Sequence, residues 1–132
     1  MRALGPATLL VLGVVALASA VVWRWRPEPA GGPVRIPELS AEAQAGKRAF
    51  DLYCARCHGE SARGSPAGPP LVHRTYQPAQ HADIAFELAV RRGVRAHHWR
   101  FGDMPPEPAM TPAEVTQVTR YVREVQRANG IE

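Results

Sequence analysis

Cysteine is scarce in this chain: Cys54 and Cys57 are the only two among 132 residues. They lie three positions apart, too close to close a loop whose restriction would stabilise a fold, which argues against a disulfide framework. Large apolar side chains are also few once the amino terminus is set aside. Residues 38–132 hold 22 Val, Ile, Leu, Met, Phe, Trp and Tyr in 95 positions. Such a core is thin for unaided folding, and a cofactor is one way to fill it. There is no period-two strand pattern, no internal repeat, no phosphate-binding loop and nothing resembling a general base beside a substrate pocket. The length fits one domain and disfavours a large enzyme or a multi-span transporter. The formal charge of +4 is misleading, because residues 38–132 carry 12 Lys+Arg against 11 Asp+Glu, a formal +1. Nucleic-acid binding is therefore a poor reading of the high pI.

The chain does have one long apolar run. Residues 3–23 are 21 positions without a charge, 16 of them apolar, closed by Trp23-Arg24-Trp25-Arg26. Hydrocarbon length followed by aromatic and cationic residues describes a membrane helix, so residues 1–26 are expected to form an N-terminal membrane anchor in contact with lipid over 3–23. A cleavable signal sequence competes, since Ala18-Ser19-Ala20 has the small-x-small form of a cleavage site. The run continues past that site, which favours the uncleaved anchor. Residues 27–37 follow with four prolines and two glycines and read as an extended linker. Residues 38–132 form the remaining domain.

Three main helices are expected there, giving an all-α domain. The first begins after the N-cap Ser40 and covers 41–53, with Gly46, Phe50 and Tyr53 on one face. The second covers 82–92, with Ile84, Ala85, Leu88 and Ala89 inward and Gly93 as its stop. The third opens on Thr111-Pro112-Ala113-Glu114, a capping box with proline at the first helical position, and carries Val115, Val118, Val122 and Val125 at helical spacing. Arg120, Arg123 and Arg127 fall opposite those valines and read as a solvated face. The two proline- and glycine-rich stretches between helices, 59–79 and 94–110, are longer than a compact domain usually tolerates without a purpose.

That purpose is suggested by Cys54-Ala55-Arg56-Cys57-His58 at the end of the first helix. Two thiols on one helical turn can add across the two vinyl groups of a haem, with the following histidine beneath the iron as an axial ligand. A thioredoxin-type dithiol would want a preceding β-strand in a βαβ unit. A zinc site would want a fourth ligand and usually a second cysteine pair. A structural disulfide would be a strained staple of little value.

From these residues the chain resembles the monohaem, class I type cytochromes c, over essentially all of the soluble part. Gly46 and Phe50 match the family's first-helix pair that crosses the last helix, with Tyr121 as the aromatic partner. Gly68-Pro69-Pro70-Leu71 matches its Gly-Pro-x-Leu loop, which implies that the Pro69 carbonyl orients the His58 ring. Met104-Pro105-Pro106, seven residues before the Thr111 cap, matches the second axial ligand. Met110 is the rival, but it sits at the staple position of the last helix. The resemblance implies one haem c, covalent through Cys54 and Cys57, with His58 and Met104 on the iron. Trp99 and Phe101 are expected over the porphyrin edge, Leu71 in the haem pocket, and Tyr76 or Trp99 at a propionate. His73, His81, His97 and His98 are expected to be ordinary histidines, with His97-His98 the alternative iron ligands.

A site so ligated has no open position, and the function it implies is an electron carrier rather than an enzyme. The expected location is the cytoplasmic membrane, single-pass, with the haem domain on the periplasmic or other extracytoplasmic side. The expected partners are redox proteins such as a membrane oxidase, reductase or dehydrogenase complex, with Arg91, Arg92, Arg95 and Arg100 as a rim that could steer an acidic one. A fixed haem subunit of a larger complex and, further off, a ligand-binding haem sensor are the alternatives.

Overall fold

The computed structural model describes residues 33–132. Its helices are α1 (Ala41–Tyr53), α2 (Ala55–His58), α3 (Asp83–Arg92) and α4 (Pro112–Ala128), with 3-10 turns at Glu60–Ala62 and Arg74–Tyr76. No sheet forms among the described residues; two isolated bridges, Ser65 with Gly68 and Val94 with Met104, brace the long loops. No described helix is long and apolar enough to cross a membrane. The expected anchor over 3–23 lies outside the described residues.

The helix termini follow from their caps. The Ser40 hydroxyl accepts the Ala43 amide at 3.2 Å and donates to Glu124 at 2.7 Å, so the start of α1 is tied to α4. At α4 both halves of the Thr111–Glu114 box are present, and these hydrogen bonds hold the Glu114 carboxyl below its ordinary range. The motif stands at the end of the first helix, as expected. Cys54, at φ −110° and ψ −34°, interrupts it, and Ala55–His58 is a separate turn.

Helices α1 and α4 cross at Gly46. A Cβ there would stand 1.9 Å from the Gln117 carbonyl oxygen, so only glycine permits the approach. Beside the crossing Phe50 meets Tyr121 with ring centroids 5.4 Å apart and planes 56° off parallel. Both residues are fully buried, as are Val122 and Val125. Met110 packs into this core ahead of the cap.

Two readings need correction. Ile84 is not inward: it is 57% exposed, in the groove between α3 and α4, whereas Val90 is the buried residue of α3. Arg123 is not on a solvated face; it is 5% exposed, unlike the exposed Arg120 and Arg127. Its guanidinium donates to the carbonyls of Tyr76 (2.7 Å) and His81, to the Gln126 side chain (2.7 Å) and to Asp83 (2.8 Å), satisfying the charge inside the fold. The carboxyl end of the expected linker meets the last helix. Arg35 donates to the Ala128 carbonyl at 2.6 and 3.1 Å, at the negative end of α4, and exchanges two further bonds with Asn129.

Candidate functional site

The break at Cys54 lets the chain turn while the next residues stay helical. The His58 amide reaches the Cys54 carbonyl at 2.9 Å, and the Cys57 carbonyl accepts the Ser65 hydroxyl at 2.6 Å. Cys57 is thereby held against the turn at 65–68, where Gly68 packs directly onto it. Loop 59–79 then returns across the site. The Ala62 carbonyl accepts the amides of Leu71 and Val72 (2.8 and 3.2 Å), which fixes Pro69 next to His58.

His58 is buried, and its Nδ1 lies 2.9 Å from the Pro69 carbonyl oxygen. That contact requires a proton on Nδ1 and leaves Nε2 with its lone pair free. Burial, opposed by the Pro69 bond, holds the imidazole below its ordinary pKa, so the neutral ligand form is favoured. Cys54 is moved the other way: desolvation, then Glu107 and Cys57, push its thiol up to about 12. A redox dithiol needs a depressed thiol pKa, so Cys54 is unsuited to exchange chemistry.

Cys54, His58 and Met104 line one mostly apolar cavity of about 410 Å³, within the usual range for a small-molecule or cofactor site. Met104 is brought there by loop 94–110, closed where Val94 and Met104 exchange both backbone bonds at 2.9 Å. Gly93, at φ +72°, makes the turn possible, since a Cβ there would meet the Met104 carbonyl at 2.5 Å. Arg56 reaches Glu107 at 3.3 Å and joins the thiol turn to the methionine loop.

Pro69, Leu71, Tyr76, Trp99 and Phe101 line the same cavity. The Trp99 indole donates to the Tyr76 hydroxyl at 3.1 Å, so these two form a pair rather than alternatives. Burial raises the Tyr76 pKa, with the Trp99 bond opposing, and keeps the phenol protonated. Cys57 stands on the adjacent turn, not among the lining residues. Ala85, Leu88 and Ala89, expected inward, line it, Leu88 at 40% exposure. Sequence reasoning missed Phe86 and Val94 in the wall; their only signal is apolar character near the methionine loop. His81, His97 and His98 stand together at this cavity, whereas His73 packs edge-on to Trp99 at 5.1 Å. Desolvation, then the neighbouring His97 and His81, lower the His98 pKa.

Comparison with known proteins agrees with this geometry. The family model for Cytochrome c matches residues 43–126, most of the described domain. The chain belongs to the cytochrome c family. This cytochrome c is also similar to the Cbb3-type cytochrome c oxidase subunit CcoP of Rubrivivax gelatinosus, 33% identical over 103 residues. That match covers 76% of this chain and 31% of the relative, so the chain spans about a third of that protein's length. The cofactor of the family is covalent haem c, and its chemistry is electron transfer. The residues present fit it: Cys54 and Cys57 have the attachment spacing, His58 follows, and the cavity wall is apolar.

Proposed function

We propose that this cytochrome c is a single-electron carrier in which Cys54 and Cys57 hold one haem and His58 and Met104 ligate its iron. The observation that carries the reading is the convergence on one apolar cavity of His58, its Nδ1 committed to Pro69, with Met104. Bound haem supplies a one-electron couple at its iron. The Pro69 carbonyl fixes the His58 ring so that Nε2 is the ligating atom, and raises its basicity. The Met104 thioether is soft and neutral and favours the ferrous state. Two protein ligands leave no position for a substrate, which supports a non-catalytic role. Leu71 and Phe86 give the cavity apolar walls, and the Tyr76–Trp99 pair offers a phenol proton at the cavity, suited to a propionate.

Residues 1–26 serve as a membrane anchor and residues 27–37 as the linker, with the haem domain on the extracytoplasmic side of the cytoplasmic membrane. Tethering makes encounters with membrane redox complexes two-dimensional and raises the effective concentration of partners. In purified ferric protein, Met104→Ala abolishes the near-infrared sulfur-to-iron charge-transfer band, whereas Met110→Leu keeps it. Survival of the band in Met104→Ala would overturn the assignment and indicate Met110.

The likeness to an oxidase subunit favours a second reading, a fixed haem subunit of a membrane oxidase. Stable co-purification with one complex in mild detergent supports it; a monomer exchanging electrons with several partners supports the mobile carrier.

A further inference from the structure

We propose that His81, His97 and His98 form a binding site for a divalent transition-metal ion of the zinc and copper class, additional to the haem iron. The three residues come from two segments, 16 positions apart between His81 and His97, yet one nitrogen of each lies within 4.8 Å of those of the others. His97 and His98 lie with ring centroids 4.1 Å apart and planes tilted by 50°, and His98 meets His81 edge-on at 5.3 Å. Imidazole is the common ligand of these ions, and three of them with an open fourth position is a known coordination pattern.

The supporting contacts favour ligation over chance proximity. His81 is the fixed member. Its amide donates to the Gln77 carbonyl at 2.9 Å, its carbonyl accepts the buried Arg123 guanidinium, and its ring packs on Tyr76 at 5.1 Å. Its Nδ1 is buried without a hydrogen-bond partner. An orphaned buried nitrogen carries an uncompensated desolvation cost, which a bound metal ion removes. In His97, Nδ1 sits 2.8 Å from the Arg95 carbonyl, an acceptor to which Nδ1–H donates, and this leaves Nε2 as a ligand, the outer-sphere arrangement typical of metal-binding histidines. A tetrahedral centre with bonds of about 2.0–2.1 Å sets ligand atoms roughly 3.3 Å apart. His97 and His98 are exposed and can close that distance by side-chain rotation onto His81.

The test uses untagged, full-length ferric holoprotein titrated with Zn²⁺ alone, followed by calorimetry and by metal analysis after gel filtration. One Zn²⁺ per haem is expected. His81→Ala and His98→Ala each weaken binding by more than the roughly 10–100-fold that losing an outer-sphere partner costs, and His73→Gln leaves it unchanged. The sulfur-to-iron band stays constant throughout. Stoichiometric binding that both cluster variants retain would overturn the proposal, as would the absence of binding in the wild type. A change of iron ligation in His98→Ala would also overturn it, by assigning that imidazole to the haem. Loss of the sulfur-to-iron band in Met104→Ala tests the haem ligands separately, so the two readings fail independently.

Discussion

Arg123 is a buried cation satisfied mainly by neutral oxygens. Its one carboxylate partner, Asp83, is 72% exposed, whereas the carbonyls of Tyr76 and His81 and the Gln126 side chain surround the guanidinium inside the fold. The carbonyls therefore dominate, and the two sides of the ion pair should respond unequally to mutation. Arg123→Met should cost about 1–3 kcal/mol of holoprotein stability for each buried oxygen left without a donor, several kcal/mol for the set. Asp83→Asn should cost less than about 1 kcal/mol, as for an exposed pair. Urea unfolding monitored by circular dichroism reads both, and equal losses would sink the argument. The sequence could not reveal this difference. Arg120, Arg123 and Arg127 share a helix face, and what singles out the middle one is a set of partners 40 to 47 residues away. The thiol pair, His58 and the Thr111 cap were legible because their geometry is fixed within four residues of chain. The histidine cluster was not, because nothing local joins His81 to His97.

At the level of elements, α1 and α4 are specified by strong local signals, and both match expectation almost to the residue. Helix α3 was placed correctly along the chain, and Ala85, Leu88 and Ala89 face the cavity as expected; only Ile84 does not. In its ten residues, Ile84, Phe86, Leu88 and Val90 alternate with alanines and charges, so apolar periodicity does not select one face. Packing decides, turning Ala85, Ala89 and Val90 to the cavity and leaving Ile84 in the groove against α4. The α1–α4 crossing allows a sharper statement. Gly46→Ala would force its Cβ against backbone rather than a flexible side chain, so relief requires the helices to part. Overpacking of this kind costs on the order of 3 kcal/mol, which in a domain of this size lowers Tm by roughly 12–24 °C. Thermal melts of the holoprotein should show that drop with the Soret spectrum at low temperature unchanged; an unaltered Tm would mean that the helices do not cross so closely.

Taken as a whole, the molecule is built around its cavity. Thirteen apolar residues are buried among the described residues, three of them alanines, and most of the large ones belong to the α1–α4 seam. The wall formed by α3 and the two long loops has little apolar material of its own to pack against, which is why composition already pointed to a cofactor. A chain with Cys54 and Cys57 replaced by alanine should therefore lack cooperative unfolding in urea, while the wild-type holoprotein unfolds in one sharp step. A steep transition in the haem-free variant would refute this account of the core.

The Val94–Met104 clasp bears on the redox change itself. Two backbone hydrogen bonds close the loop that bears the methionine, and Gly93 seats it against the end of α3. The ordering of this loop is thus borne by the polypeptide, independently of what its side chains bind, and if Met104 ligates the iron as proposed, little conformational freedom would be left to be lost there. A thioether, a weak donor to ferric iron, can then stay in place through both halves of the redox cycle. On the proposed ligation, a stationary sulfur would keep the reorganisation that accompanies each electron small, and turnover would be paced by meeting a partner rather than by movement within the protein.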